Sequence, residues 1–265
     1  MIIISSRKDF IDCDNLNSEG HVIREIDLNT DKKINEYDLS GLLVKIRNKK
    51  VCILVHGYNN EFFEVCDSYQ IMESNIAEYL DGTYDMVIGY TWPGGNQKLE
   101  WWDAKSRANA VARMFRQLLD SLSSETIQID LISHSLGARV CLKALKDASK
   151  QLVENYYCMA GAVDNESLEL DEEFHPSLKN IKKLFVLHSA RDEVLAFAYQ
   201  AAELDNAIGL FGPEDFRSII DFNIYVANCK KVVANHGGYK RSRAVFDYIK
   251  LTCNSEHPDK FLTLK

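Results

Sequence analysis

Residues 126–145 carry the strongest structural signal in this 265-residue sequence. An apolar run over 126–132 predicts a buried strand, and small or apolar side chains then recur at helical spacing from Ala138 onward. The turn between these two elements reads Ser133-His134-Ser135-Leu136-Gly137. A strand, a turn of small residues and a helix, in this order, predict a nucleophile elbow, in which the middle serine is held above the edge of a sheet.

The turn departs at one position from the G-x-S-x-G pattern of such elbows, because Ser133 takes the place of the first glycine. A serine side chain is still small enough for close backbone packing, and Gly137 occupies the second glycine position. Taken alone, the five residues fit an ordinary turn between a strand and a helix equally well. The interpretation therefore depends on matching residues elsewhere in the chain.

Strand-like and helix-like segments alternate along the rest of the sequence. Apolar runs predict further strands at 2–5, 22–28, 51–55, 85–91, 156–163, 183–189 and 222–227. This alternation predicts an α/β fold, with a mostly parallel, doubly wound sheet and helices on both of its faces. The length and the 46% hydrophobic content favour a single domain over residues 1–265. Residues 194–222, with short helical stretches broken by Gly209 and Gly212, are predicted to form a small cap or lid.

The composition argues against several other classes of protein. A formal net charge of −8 without a long Lys/Arg cluster disfavours binding to nucleic acid or to an anionic membrane surface. The seven cysteines, an odd number without a C-x-x-C pair, are predicted to be buried in a reducing compartment, and their pattern argues against a metal site. No apolar run is long enough for a signal peptide or a membrane span. We therefore expect a cytoplasmic protein that needs no metal or other cofactor.

A serine hydroxyl needs a base and a third group that orients the base, and the chain offers both after the elbow. In enzymes with this elbow, an acid and then a histidine follow the serine along the chain. Asp192 and Asp164 each come directly after a predicted strand. Asp192 is preferred because the acid usually follows the later strand, and Asp164 remains the alternative. His236, in a glycine-bearing loop before the last helix, is the predicted base for Ser135.

Backbone N–H groups near the elbow are predicted to stabilise negative charge. The strand at 51–55 ends in His56-Gly57-Tyr58-Asn59-Asn60. A glycine directly after a buried strand lets the chain turn and leaves N–H groups above the sheet. The N–H groups of Tyr58 and Leu136 are therefore predicted to form an oxyanion hole. Asn59 or Asn60 is predicted to be the N-cap of the following helix.

Two aromatic side chains are candidates for substrate contact. Trp92 follows the strand at 85–91, at the edge where ligands bind in open α/β sheets. For this side chain, filling the core is an equally good interpretation. His134 lies next to Ser135 and is predicted to shape the site rather than to deprotonate the serine.

These motifs together resemble a family of bacterial α/β-hydrolases grouped as domain of unknown function 900. The resemblance rests on Val55-His56-Gly57-Tyr58-Asn59-Asn60, Thr91-Trp92-Pro93, the turn at 133–137, Ser189-Ala190-Arg191-Asp192 and His236-Gly237-Gly238-Tyr239. It covers roughly residues 40–250, and H-G-Y-N-N is its most specific part. The resemblance implies the α/β-hydrolase fold and a triad of Ser135, Asp192 and His236. It implies no particular substrate.

Three functions are compatible with these residues. The first is a serine hydrolase of the esterase, lipase or thioesterase kind, which cleaves a small-molecule ester or thioester through an acyl-enzyme. The second is an acyltransferase that uses the same three residues in a drier pocket under residues 194–222. The third is a noncatalytic binding scaffold with a degenerate site, and the presence of all three residue types in the expected order argues against it.

Overall fold

One mixed sheet organises the chain in the computed structural model, which describes residues 1–97, 100–217, 220 and 222–265. Its strands in these residues are β1 (Ile2–Ser5), β2 (Val22–Asp27), β3 (Lys32–Tyr37), β4 (Lys50–Val55), β5 (Met86–Thr91), β6 (Gln128–His134), β7 (Val153–Met159), β8 (Ile181–His188), β9 (Ile224–Asn228) and β10 (Phe261–Thr263). They lie in the order β10-β9-β8-β7-β6-β4-β5-β1-β2-β3. Every neighbouring pair from β10 to β1 is parallel, and the β1–β2 and β2–β3 pairs are antiparallel. The predicted mostly parallel sheet is confirmed.

The helices connect the strands and cover the sheet. They are α1 (Leu39–Ile46), α2 (Phe62–Tyr79), α3 (Trp101–Ser123), α4 (Gly137–Lys146), α5 (Gln200–Glu203), α6 (Ile208–Phe211) and α7 (Arg243–Cys253). Helix α2 packs against α7, whereas α3 packs against α4 and α1. The helices thus form two groups, one on each face of the sheet, as the doubly wound interpretation predicts.

The central strands are buried on both faces. In β4 the five residues after Lys50 are all buried, and β6 is buried over its five middle residues. Strands covered by helices on both sides need such continuous apolar runs, which explains why these two were recognisable from the sequence. The chain reverses direction at their carboxyl ends, where the predicted elbow and oxyanion loop meet.

One prediction about local structure is wrong, and two edge strands were not predicted. Helix α2 is capped by Glu61, not by Asn59 or Asn60, since a capping box joins Glu61 to Glu64 and the Glu61 N–H donates to Glu64 Oε2 at 2.8 Å. The edge strand β3 was missed because it is polar and exposed along most of its length. The edge strand β10 was missed because it is only three residues long and its first and last residues are exposed.

Residues 194–217 of the predicted cap fold as short helical segments. A π-helical turn at Val194–Tyr199 leads into α5, and α6 follows four residues later. Glu203 ties this segment to α3, because it accepts hydrogen bonds at 2.6 Å from Trp101 Nε1 and Lys105 Nζ. Of the remaining predicted cap, residues 218, 219 and 221 lie outside the described residues. A lid role for the segment stays a prediction.

Replacement of Gly137 by alanine is expected to destabilise the fold. Alanine favours a helix over glycine by about 1 kcal/mol. A Cβ here would, however, lie 2.5 Å from the His56 carbonyl oxygen and 2.7 Å from that of Val55. Both obstacles are backbone atoms of the β4 end, so steric overlap should dominate, and Gly137→Ala should lower the free energy of unfolding by about 1–3 kcal/mol in urea titrations.

Gly237→Ala is the matched control for this substitution. Apart from its two chain neighbours, no described residue has an atom within 4 Å of a Cβ at Gly237, whose φ is an ordinary −87°. Its free energy of unfolding should stay within about 0.5 kcal/mol of wild type. Equal stabilities for the two variants would show that α4 can move away from β4 without cost.

Candidate active site

Ser135 lies on the turn between β6 and α4 in a strained backbone conformation. Its φ is +56°, in the left-handed region that side chains other than glycine rarely adopt. The turn is held by three backbone hydrogen bonds: Ser135 N–H donates to Met159 O at 3.0 Å, and Ser135 O accepts from Ala138 N at 3.0 Å and Ala162 N at 3.1 Å. Strained turns held in this way are common at functional sites, and this one lifts the hydroxyl above the sheet.

The residues around the turn are small for different reasons. Ser133 is buried, and a hydrogen bond of 2.7 Å joins its Oγ to the Tyr156 hydroxyl. A serine at the first glycine position is therefore tolerated because its polar atom has a partner inside the protein. Gly57 faces the turn from the neighbouring strand end, where a Cβ would lie 2.8 Å from the Cβ of Ser135. The chain can approach the serine this closely only because residue 57 is glycine.

His236 and Asp192 lie together beside this turn. His236 Nδ1 is 2.7 Å from Asp192 Oδ2, and Asp192 Oδ1 accepts the Leu195 N–H at 3.1 Å. Because a carboxylate accepts, the proton of a neutral imidazole belongs on Nδ1, which leaves Nε2 free to take up a proton. No hydrogen bond joins Ser135 Oγ to His236 within the described residues. Such contacts often tighten only when substrate binds.

Asp164, the alternative acid, is engaged elsewhere. Its Oδ1 accepts a hydrogen bond of 2.5 Å from the Tyr199 hydroxyl, and its backbone forms a bridge with Ala207. The structure thus brings His236 together with Asp192 and gives Asp164 a role in holding the 194–217 segment.

The loop after β4 uses only some of its backbone N–H groups as hydrogen-bond donors. Asn59 N–H donates to Gly94 O at 3.2 Å and Asn60 N–H to Gly95 O at 3.1 Å. The N–H groups of Tyr58 and Leu136 donate to no acceptor among the described residues. Leu136 is also the N-cap of α4, where the helix dipole favours negative charge. Two free donors therefore lie on the two loops that meet at Ser135.

His56 is a buried, neutral ring that fixes this loop. Its Nδ1 lies 2.7 Å from Gly57 O, so it donates there. Nε2 accepts from Thr91 Oγ1 at 3.0 Å, from the Trp92 N–H at 3.2 Å and from Arg7 Nη2 at 3.3 Å. Burial, and then the neighbouring Arg7 charge, hold the pKa of His56 well below its usual value. His56 is consequently a structural residue and not a base.

Arg7 was not recognised from the sequence, yet it supports the same loop. The side chain is fully buried and forms no ion pair with a described residue. It donates instead to backbone carbonyl oxygens, from Nη2 to Asn60 at 2.9 Å, from Nε to Trp92 at 3.0 Å and from Nη1 to Ile11 at 3.3 Å. Burial lowers its pKa to about 10. No local pattern marks it, because its partners Asn60 and Trp92 are more than 50 residues away along the chain.

Trp92 does not contact the site, which corrects one of the two predicted substrate contacts. It is completely buried, and its ring stacks on His56 with centroids 5.6 Å apart. Its Nε1 donates to His56 O at 2.8 Å. The side chain therefore packs behind the loop, as the core-filling interpretation required.

His134 does border the site and supports the loop of His236. Its Nε2 donates to His236 O at 2.8 Å, and the two ring centroids are 4.5 Å apart. Burial, and then the neighbouring His236 ring, lower the pKa of His134 to about 3. His134 is thus neutral near pH 7 and positions the second histidine.

Comparison with known proteins places the chain in a family. The model of a family described as alpha/beta hydrolase of unknown function, DUF900, matches residues 31–214, which is more than half of the chain. The protein belongs to the DUF900 family. A search of the curated proteins finds no match. Within the described residues no helix is long and apolar enough to cross a membrane, and no group of three or more His, Cys, Asp or Glu side chains is arranged to hold a metal ion.

Solved structures resemble this DUF900 protein in fold only. Esterase PE8 is 16% identical, with 75% of this chain and 87% of that chain covered and a TM-score of 0.41. TT1662 from Thermus thermophilus is 14% identical, with 79% and 91% covered and a TM-score of 0.43. Esterase Pf2001 from Pyrococcus furiosus is 12% identical, with 77% of each chain covered and a TM-score of 0.36. We assign no residue role from these structures.

The buried neutral histidines predict that stability falls in mild acid. Burial lowers the pKa of His21 to about 4 and that of His134 to about 3, and it also holds the pKa of His56 well below its usual value. An unfolded histidine, with a pKa near 6.5, therefore binds a proton that the folded one does not. Stability should be fully present above about pH 6.5 and decrease as the pH falls.

Urea unfolding of wild type and of His21→Phe between pH 7 and pH 5 tests this expectation. His21 bonds Tyr90 rather than any residue of the site, so its removal isolates one of the three rings. The free energy of unfolding should change less steeply with pH in the variant than in wild type, by up to about 1.4 kcal/mol per pH unit. Identical slopes would mean that His21 is protonated in the folded protein.

Proposed function

We propose that this α/β hydrolase is a serine hydrolase that cleaves a carboxylic ester or thioester through an acyl-enzyme. Ser135 is the nucleophile, His236 the base and Asp192 the group that orients the base. The observation that carries the proposal is the 2.7 Å hydrogen bond between His236 Nδ1 and Asp192 Oδ2, next to a serine held at φ +56°. A structural turn needs neither a strained serine nor a buried carboxylate aligned on a histidine.

The proposed reaction assigns each proton to one atom. His236 Nε2 takes the Ser135 hydroxyl proton while Oγ attacks the carbonyl carbon, and the N–H groups of Tyr58 and Leu136 stabilise the resulting oxyanion. Collapse of this intermediate breaks the bond to the leaving group, which receives the proton from His236. Water, deprotonated by the same nitrogen, then attacks the acyl-enzyme and releases the carboxylic acid and free Ser135.

Hydrolysis is favoured over acyl transfer by the exposure of the base. The His236 side chain is 17% exposed, so water can reach the acyl-enzyme. An acyltransferase must exclude water from this position. We further propose that residues 1–265 act as one domain and that the 194–217 segment, held to α3 through Glu203, borders the site as a cap.

Labelling with a fluorophosphonate tests the nucleophile. Wild type should gain the mass of one adduct, and Ser135→Ala should gain none, because the probe reacts only with an activated hydroxyl. Alanine and serine tolerate the left-handed backbone similarly, so circular dichroism should show a folded variant. Ser133→Ala, two residues away, is the matched control and should keep the adduct, since its hydroxyl bonds Tyr156. Labelling of a residue other than Ser135 would refute the assignment.

Paired substitutions of the two candidate acids test which one orients His236. Asp192→Asn should lower kcat by about 10⁴-fold on an ester that the wild type cleaves, because the amide stabilises the wrong imidazole tautomer. Asp164→Asn removes the same charge at a carboxylate bonded to Tyr199, and kcat should change by less than about 10-fold. The reverse ranking would assign the acid role to Asp164.

A further inference from the structure

A cleft adjoins the proposed nucleophile on the side of α2. Its cavity volume is about 70 Å³. Its wall is mostly apolar and includes Leu54, Val55, Tyr69, Met72, Ile132 and Met159. Gly57 and His134, which flank Ser135, also line it. A substrate bound at Ser135 can therefore extend one of its parts into this cleft.

Lys240 brings a positive charge to this otherwise apolar wall. Its Nζ donates to Ser68 Oγ at 2.6 Å. Its backbone oxygen accepts from Asn75 Nδ2 at 2.7 Å, which fixes the lysine against α2. Lys240 forms no ion pair with any residue that the structure describes. Ser68 Oγ accepts from one of the three N–H groups of the ammonium, and the other two have no hydrogen-bond partner among the described residues.

A charged ammonium group is energetically unfavourable at the half-buried position of Lys240. Removal of an ammonium group from water is unfavourable unless an anion or several acceptors compensate for it, and here burial, followed by the nearby Arg241 charge, lowers the pKa of Lys240. Asp67 and Glu64 act in the opposite direction but remain beyond ion-pair distance of the ammonium. If Lys240 only donated a hydrogen bond to Ser68, a neutral donor would be sufficient and no charge would have to be removed from water.

We propose that the cleft binds an anionic group of the substrate, a carboxylate or a phosphate, through Lys240 and the Ser68 hydroxyl. The proposal rests on the proposed function, because it specifies the substrate class of the same site. The apolar wall accommodates a hydrocarbon segment between the scissile carbonyl and the anion. The preferred substrates are therefore esters or thioesters that carry a negative charge at the end of a short apolar chain.

A pair of matched esters tests the charge directly. Mono-4-nitrophenyl adipate and 4-nitrophenyl hexanoate have the same leaving group and the same number of acyl carbons, and they differ in a terminal carboxylate against a methyl group. Wild type should show the higher kcat/KM with the adipate. Lys240→Met should lower the adipate-to-hexanoate ratio of kcat/KM by roughly 10-fold or more, as expected for loss of a charged hydrogen bond. Lys240→Arg should retain most of the ratio.

Lys250→Met is the matched control, since Lys250 is exposed on α7 and its loss changes the net charge equally. It should leave the ratio as in wild type. An equal decrease for both esters in Lys240→Met would show a structural anchor and overturn the proposal, as would a wild-type preference for the hexanoate.

Protection from labelling separates this proposal from the proposed function. Adipate or inorganic phosphate should slow fluorophosphonate labelling of Ser135 in wild type but not in Lys240→Met, and the stronger protector indicates whether the cleft prefers a carboxylate or a phosphate. Labelling without protection by either anion overturns the anionic cleft and leaves the hydrolase intact. If Ser135 is not labelled, titration calorimetry of both anions decides: Lys240-dependent binding supports the cleft, and no binding to wild type overturns it.

Discussion

The site depends on the close approach of two backbone segments at the carboxyl edge of the sheet. Gly57 meets the Cβ of Ser135, and Gly137 meets the carbonyl oxygens of Val55 and His56, each at a distance that leaves no room for a side chain. These contacts bring the loop after β4 and the start of α4 together. The two unused N–H groups, on Tyr58 and Leu136, come from these same segments. The proposed ability of these N–H groups to stabilise an oxyanion therefore depends on backbone packing and not on a side chain.

A buried polar network maintains this approach. Arg7, His56 and Trp92 exchange hydrogen bonds with one another and with backbone oxygens of the loop. In a low-dielectric interior such a network stabilises one geometry when its groups are satisfied, and it is costly when one partner is lost. This network requires a neutral His56, because a protonated ring would lie next to the Arg7 charge. The geometry of the loop after β4 and the predicted acid sensitivity of the fold thus depend on the same buried network.

The sequence revealed those parts of the molecule that depend on local pattern or on order along the chain. The elbow is visible because a buried strand, small residues and a helix follow one another directly. The order of residues along the chain favoured Asp192 and His236, and the structure brings these two side chains together. Trp92 stayed ambiguous, because an aromatic at a strand end suits the core and a cleft equally well. Arg7 and Lys240 gave no signal, since Asn60 and Trp92 lie far from Arg7 in sequence and Ser68 is 172 residues away from Lys240.

The placement of Lys240 also bears on how an acidic protein can accept an anionic substrate. A net charge of −8 repels anions at long range, but at physiological ionic strength charges separated by more than about 8 Å are largely screened. Within the cleft the low-dielectric wall weakens this screening, so the Lys240 charge counts for more than the distant carboxylates. A neutral or acidic surface combined with one half-buried cation therefore favours substrates that have both an apolar segment and a negative end. Polyanions such as nucleic acids, which need an extended basic surface, would gain little from one lysine.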